Sequence, residues 1–517
     1  MADERDELLE FLGRGEAYGR PGEPVEQVTT HAAWIFLIGD RAFKMKRPVR
    51  YSFLDFSTLE RRRAALAAEL ELNRRTAPML YRRLLPVTRA AGGELALDGA
   101  GAPVEWLLEM TRFDQDALLD RLAEQGALDA ATIDRLAAEI ADFHERAEVR
   151  MDRGGYAGMR QVIEGNAADL AGHADGVHER AAVDGLDRRT AALLEQSRDL
   201  LERRCAAGRV RHCHGDLHLG NIVMWDNRPV LFDCLEFNPE LATIDTFYDL
   251  AFLVMDLCHR NLRPLAQRLL SGYLDATWDD QGTALLPLFL SVRAAIRAKV
   301  EGFTADLAEE EAERAEPVAA ARAYLDLAAG FLAPAPPRLI ASGGVSGTGK
   351  TTLARRLAPA VGRAPGAVLL RSDTTRKKLC GVLPDARLGA DAYDERVSRR
   401  VYESLMTRAA SLLAAGQAVI VDAVMLDPAD RRAVEQVARA QDVRFDGLWL
   451  SAPAKALAAR VRARRGDASD ATPEVVEAQL GVDPGALDWH RIASGGAPEQ
   501  VAAAARAALG LGPGDPN

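Results

Sequence analysis

The run Gly344-Val345-Ser346-Gly347-Thr348-Gly349-Lys350-Thr351 fits the pattern G-x-x-x-x-G-K-[ST]. It stands between the strand-like Arg338-Leu339-Ile340-Ala341-Ser342 and the helix-like Thr351-Thr352-Leu353-Ala354-Arg355-Arg356-Leu357. Few short patterns restrict a fold so tightly. The glycines let backbone N–H groups curl around phosphate oxygens, and the helix N-terminus adds a favourable dipole. Gly344 to Thr352 is therefore a candidate nucleotide cradle, with Lys350 reaching the β- and γ-phosphates and Thr351 a Mg²⁺ ligand. Lysine is scarce, seven residues among 65 Lys and Arg, which makes a lysine in this place a weak chance event.

Around the motif, strand-like runs at 338–342, 367–371, 418–422 and 445–450 alternate with helices. That order implies a mostly parallel sheet wrapped on both faces. No N-K-x-D element for reading guanine is present, and the strand ending at Asp422 continues into Ala423 rather than a water-polarising Glu. The remaining reading is phosphate transfer to a hydroxyl, which needs a carboxylate near the γ-phosphate. Ser372-Asp373-Thr374-Thr375-Arg376 follows the second strand, at the sheet edge where ligands of such folds bind. This half resembles the small P-loop kinases that include gluconate kinase, chloramphenicol phosphotransferase and the kinase domain of polynucleotide kinase. The resemblance implies Asp373 as base, Arg376 as an acceptor contact and Asp422 as a holder of Mg²⁺ or its water shell. It also implies an arginine-bearing lid in Arg460-Val461-Arg462-Ala463-Arg464-Arg465, with Arg460 and Arg464 the candidates. Asp373 equally suits a helix N-cap.

The whole chain has 517 residues, room for two or three domain-sized cores. A proline-rich seam, Ala333-Pro334-Ala335-Pro336-Pro337, cannot continue a helix. It divides an expected domain at 1–332 from one at 338–517, with 333–337 as linker. A net charge of −11 argues against broad nucleic-acid or membrane-surface binding. No apolar run approaches a membrane span, and the five cysteines form no CxxC pair. Reduced thiols in a cytoplasmic protein are expected.

The first half predicts a β-hairpin at Ala33 to Lys46, a helix from about Thr58 to Arg75, and strands between 84 and 112. Helices then dominate to the seam, with a strand–loop–strand unit at 210–233 and a helix from Thr304 to Leu332. Within that unit stand His214-Gly215-Asp216-Leu217-His218-Leu219-Gly220-Asn221 and Val230-Leu231-Phe232-Asp233. An Asp five residues before an Asn, with a second Asp closing an apolar strand, suits phosphoryl transfer from Mg-ATP. Zinc, with His212, Cys213, His214 and His218 as ligands, accounts for none of these three residues.

The segment resembles the aminoglycoside phosphotransferase family and its sugar- and choline-kinase relatives. The resemblance implies Asp216 as catalytic base, Asn221 and Asp233 as metal ligands, and His214 as a structural member of the loop. Asp249, in Tyr248-Asp249-Leu250-Ala251, would brace it. Lys44 is the candidate ATP-binding lysine, with Lys46 on the same side of its strand. Glu69 is the expected partner, and Glu60 and Glu71 are alternatives. Tyr51 to Glu60 looks like a bacterial branch often fused to a P-loop kinase domain. The expected fold class is thus α/β multidomain, a protein-kinase-like bilobal α+β domain followed by a P-loop parallel-sheet α/β domain. The expected activity is a kinase with two sites, ATP and Mg²⁺ as cofactors, and small-molecule hydroxyls, with sugars or amino sugars as candidates, as acceptors. The rivals are an ATP-sensing regulatory protein and a nucleic-acid 5′-hydroxyl kinase in the second half.

Overall fold

The computed structural model describes residues 2–30, 32–50, 54–174, 176–308, 310–383, 386–463 and 469–512. Contacts divide the chain into two compact units. The first is Met1–Thr132, Phe143–Gly158 and Leu200–Asp249; the second is Ile133–Asp142, Met159–Asp199 and Leu250–Asn517. The proline-rich seam at 333–337 lies inside the second unit.

Alternation builds the sheet of the first unit. Strands β1 (Glu26–Thr29), β2 (Ala33–Ile38), β3 (Arg41–Lys46), β4 (Tyr81–Arg89), β5 (Leu95–Leu97) and β6 (Ala102–Thr111) pair in the order β1-β2-β3-β6-β4-β5. Successive side chains point to opposite faces, and both faces are covered. Trp34, Phe36, Ile38, Phe43 and Met45 pack with Leu8 and Leu12 on one side. On the other, Leu37, Ala42, Leu108 and Met110 pack with Leu66 of helix α1 (Leu59–Asn73). Lys44, two residues from Ala42, shares the α1 side. The Thr58 hydroxyl caps α1 by accepting from the Arg61 N–H. Its buried stripe is Arg62, Ala65, Leu66, Glu69 and Asn73, a helical period that places one carboxylate on the inward face.

Farther along, β7 (Val210–His212) pairs with β10 (Thr243–Asp245), and β8 (Ile222–Trp225) with β9 (Arg228–Leu231). Asp226 and Asn227 turn the second pair with φ of 46° and 61°, the left-handed turn that suits hairpin twist. Helix α2 (Ala130–Arg146) lies earlier in the chain, and α3 (Thr246–His259) follows β10 directly.

In the second unit, β11 (Arg338–Gly343), β12 (Val368–Arg371), β13 (Val419–Asp422), β14 (Arg444–Ser451) and β15 (His490–Ala493) form a parallel sheet ordered β12-β13-β11-β14-β15. The strand that precedes the P-loop is central. β15 was not expected from sequence. It has one buried residue, Ile492, so it lacks the apolar run that marked the other four.

The edge strand β12 is covered by helix α4 (Arg263–Thr277). Gln267 Nε2 donates to the Ala367 carbonyl at 2.7 Å, and the Leu369 N–H donates to Ser271 Oγ at 3.1 Å. These side chains satisfy backbone groups that an open sheet edge leaves bare. The helix expected from Thr304 to Leu332 is two: α5 (Leu286–Leu307) and α6 (Glu311–Phe331). Ala308 turns extended, and Glu311 and Glu313 fall in the first turn of α6, where the helix dipole favours carboxylates.

Helix α7 (Lys350–Leu357) follows the P-loop, α8 (Ser372–Leu379) follows β12, and α9 (Glu395–Ala414) follows later. On α9, Arg408 is buried, with Nε and Nη2 each 3.0 Å from an Asp280 carboxylate oxygen. It also donates to the Leu274 carbonyl at 3.0 Å. Removing one member of a buried ion pair strands the other, at about 3–5 kcal/mol. Asp280→Ala is therefore expected to lower the thermal midpoint by an amount matching a loss near the lower figure, since Asp275 stays 3.3 Å from Arg408. A scanning-calorimetry midpoint equal to wild type would contradict this.

Candidate active sites

In the first unit, Lys46 is buried and Lys44 largely covered on one face of β3, and carboxylates gather around both. Lys44 Nζ lies 2.7 Å from Glu69 Oε1 and 2.7 Å from Asp233 Oδ1. Lys46 Nζ lies 2.6 Å from Glu69 Oε2 and 2.5 Å from Glu236 Oε1. Both lysines thus share Glu69, while Lys44 is the one bonded to Asp233. Glu60 and Glu71 are exposed. Burial alone would lower the Lys44 ammonium, but Asp233, Glu69 and Glu236 hold it above the ordinary lysine value. For Asp233, burial pushes the carboxyl up, yet Lys44 and Lys46 outweigh it and keep it below the usual aspartate range.

Asp233 sits at φ 59°, a left-handed conformation that aspartate tolerates better than most residues. The turn is held from outside. The Asp233 N–H donates to Tyr81 Oη at 3.1 Å, and the Cys234 N–H to Asn73 Oδ1 at 2.8 Å. Asn73 Nδ2 in turn donates to the Glu69 carbonyl at 2.8 Å. Asn73, Tyr81 and Glu236 escaped the sequence reading. Asn73 had a signal, because it lies four residues after Glu69 on the same buried stripe.

Asp216 and Asn221 meet directly. Asn221 Nδ2 donates to the Asp216 carbonyl and to Oδ2, both at 2.9 Å. The Asp216 side chain keeps 41% of its surface exposed, with Oδ2 3.4 Å from His218 Nε2. Below it, buried Asp249 accepts from the His214 N–H at 3.0 Å and the Gly215 N–H at 2.9 Å, and lies 3.1 Å from His144 Nε2 of α2. The imidazole of His214 is 2.9 Å from the Phe232 carbonyl. Asp249 and His214 therefore shape the loop that presents Asp216. Among the described residues, His144, Cys213 and Asp249 bring ligand-type atoms within 4.8 Å of one another. The Asp249 oxygens already accept N–H donors there, which accounts for the grouping without an ion. His212, His214 and His218 form no such group among the described residues.

The second unit holds the P-loop. Gly344, Gly347 and Gly349 have φ of 132°, 87° and 88°. A Cβ on Gly344 would meet the Leu450 carbonyl oxygen at 2.4 Å. Only glycine lets the chain turn there, and the turn leaves a cradle lined by backbone N–H groups. Lys350 Nζ donates to the Gly344 carbonyl at 2.7 Å and the Val345 carbonyl at 3.2 Å. Thr351 Oγ1 is 2.5 Å from Asp422 Oδ2, a hard-oxygen pair of the kind that suits Mg²⁺. Gln479 Oε1 accepts the Ser346 N–H at 2.8 Å, a contact the sequence did not signal.

Asp373 is half-buried in the first turn of α8, with Arg371 at the N-cap position. The N-cap reading of Asp373 is thereby corrected, because the helix begins one residue before it. Burial pushes its carboxyl above the usual aspartate value and Asp422 adds to this; Arg371, Lys350 and the Ser469 hydroxyl pull the other way. Arg376 is buried: it donates to the Ala392 carbonyl at 2.6 Å and to Ser398 Oγ at 3.2 Å, beneath the Tyr393 ring. Arg460 donates to the Ser494 carbonyl at 2.8 Å and to the Gly347 carbonyl of the P-loop at 3.5 Å. Arg464 lies outside the described residues.

Residues 50–285 match the Phosphotransferase enzyme family and residues 339–482 match an AAA domain. Over 499 residues the chain is 32% identical to the uncharacterized protein Rv2004c of Mycobacterium tuberculosis, covering 94% of this chain and 96% of that one. The chain belongs to the same family as that protein. The uncharacterized protein Mb2027c of Mycobacterium bovis aligns over the same 499 residues, also at 32% identity, with the same 94% and 96% coverage. The family joins an aminoglycoside-phosphotransferase-type domain to a C-terminal P-loop kinase-like domain, and phosphotransfer is its chemistry. Among solved structures, an unliganded sugar kinase from Janibacter sp. HTCC2649 is 23% identical, covering 34% of this chain and 97% of its own, with a TM-score of 0.26. A thermostable mutant of aminoglycoside phosphotransferase APH(4)-Ia is 13% identical, covering 62% and 99%, with a TM-score of 0.39. No helix among the described residues is long and apolar enough to cross a membrane.

In this family member the loop presenting Asp216 turns on Gly215, at φ 85°, where a Cβ would stand 3.0 Å from Leu235 Cβ and 3.3 Å from Ala242 Cα. Gly215→Ala is expected to cost at least about 1–2 kcal/mol from the left-handed backbone alone. Urea unfolding should show a lower midpoint at unchanged slope.

Proposed function

We propose that the protein is an ATP-dependent kinase with two sites, each moving the γ-phosphate of Mg-ATP to a hydroxyl of a small molecule. The observation that carries this reading is the lysine bridge. Lys44 joins Glu69 to Asp233 at 2.7 Å on each side, the arrangement that readies a lysine for phosphate oxygens and an aspartate for a metal.

At the first site, Asp216 accepts the proton of the acceptor hydroxyl while the new O–P bond forms and the bond from the γ-phosphorus to ADP breaks. Asn221 and Asp233 hold Mg²⁺, and Lys44, steadied by Glu69, binds the phosphates. His214 and Asp249 keep the Asp216 loop in shape. At the second site the cradle from Gly344 through Val345, Ser346, Gly347, Thr348, Gly349, Lys350 and Thr351 to Thr352 binds the phosphates. Thr351 and Asp422 hold the metal, and Asp373 is the base. Mg²⁺ at either site supplies neutralisation of charge on the phosphate oxygens. A base whose carboxyl is raised by burial is better matched to operation near neutral pH. Arg460, bonded to the Gly347 carbonyl, adds positive charge beside the phosphates, and Arg376 braces the acceptor side through residues 392–398. The acceptors we propose are neutral or amino-bearing polyols, sugars first among them, in a cytoplasmic setting.

The test is ADP release from Mg-ATP across sugars, amino sugars, nucleosides and oligonucleotides, comparing wild type with Asp216→Asn and Asp373→Asn. Loss of a general base costs about 10²- to 10⁴-fold, so each substitution should abolish turnover of one set of acceptors and spare the other. If neither substitution slows any turnover while nucleotide still binds, the two-kinase reading is wrong. Turnover confined to oligonucleotides and lost with Asp373→Asn would instead assign the second site to nucleic-acid ends.

A further inference from the structure

Helix α8 carries Asp373 but has only eight residues, too few to hold its own position. Its support comes from the last turn of α4, which lies within the stretch that matches the Phosphotransferase enzyme family. The hydroxyl of Thr374, next to Asp373, donates to the Arg371 carbonyl at 3.2 Å, and it stands close enough to the Asp275 carboxylate to pull that carboxyl down against the burial that raises it. At the other end of α8, Lys378 Nζ donates to the Ala276 carbonyl at 2.6 Å. That carbonyl belongs to the C-terminal turn of α4, where exposed C=O groups attract cations. Arg408 fixes this turn in its place by donating to the Leu274 carbonyl at 3.0 Å and approaching Asp275 Oδ1 at 3.3 Å. Short α8 is thus gripped at its start and its end by consecutive residues of one turn. The strand before it is gripped as well, through Gln267 and Ser271.

We propose that the P-loop site is a composite of both halves of the sequence, in which Asp275 is a positioning residue that holds Asp373 in line with the phosphate cradle. This rests on the reading of Asp373 as the base. Asp275 touches neither nucleotide nor acceptor. It acts through Thr374 and through its share of Arg408, so its loss lets α8 shift while the P-loop stays formed. Such a shift changes the rate of the chemical step and leaves ATP binding alone. A displacement of about 1 Å at a reacting group can cost about 10²-fold in rate.

The experiment uses the full chain with Asp275→Ala, Asp275→Asn and Thr374→Val. Arg263→Ala serves as a control in the same interface, since Arg263 contacts the Pro365 and Gly362 carbonyls instead. Hydrogen exchange at the amides of 373–379 should quicken by about tenfold or more in Asp275→Ala and Thr374→Val, as expected of local opening. It should stay near wild type in Arg263→Ala. Asp275→Asn keeps an oxygen for Thr374 and should recover most of the protection. With Mg-ATP and whichever acceptor gives Asp373-dependent ADP release, kcat should fall by up to about 10²-fold in Asp275→Ala, with KM for ATP unchanged. Exchange in Asp275→Ala no faster than in Arg263→Ala overturns the proposal, as does an unchanged kcat where Asp373→Asn lowers it. If Asp373→Asn lowers no turnover, the base assignment fails instead, and the exchange comparison alone decides whether Asp275 holds the helix.

Discussion

A lysine ammonium can be buried only where carboxylates surround it, and in the first unit Lys46 is buried with Lys44 largely covered beside it. Lys44 and Lys46 draw in Glu69 from α1, and Asp233 and Glu236 from the segment after β9. Two pieces of chain far apart in sequence are thereby fixed to one strand. Asn73 repeats the tie with neutral groups, bonding both to α1 and to the turn at Cys234. The depressed carboxyl of Asp233 and the raised ammonium of Lys44 are two views of the same charge balance. An anionic Asp233 is a consequence of how the sheet is covered.

The second unit answers a different constraint. A parallel sheet ends in a strand with unpaired backbone groups, and here that strand, β12, also leads into the helix that bears Asp373. Covering the edge and orienting the helix are done by one element, α4, through Gln267, Ser271, Asp275 and Ala276. The central strand β11 instead leads into the P-loop, where Gly344 passes under the Leu450 carbonyl too closely for any side chain.

Much of this was legible in the residues. The hairpin, the helix after Thr58, four of the five parallel strands and the P-loop follow from alternation, helical period and glycine spacing. Choosing Glu69 over Glu60 and Glu71 was possible because it shares a stripe with Ala65, Leu66 and Asn73. Other features left no trace. Strand β15 buries a single side chain. Arg376 reads as a free cation until the 392–398 segment folds over it. Gln479, 133 positions from Ser346, meets it only in the folded chain.

The residue types and their local order determined that phosphates can be cradled at Gly344 to Thr351 and that Asp216, Asn221 and Asp233 stand in a phosphoryl-transfer pattern. Such features depend on neighbours within a few residues, so sequence carries them. Tertiary structure decided which of two adjacent lysines reaches Asp233, since both lie on one face of β3 and only the packing of the later turn separates them. It also decided that residues 263–285 share a compact unit with the P-loop. A proline-rich seam records where helix must stop, whereas burial of Arg408 against Asp280 records what must stay together. Local propensity writes the first; only long-range charge pairing and edge coverage decide the second.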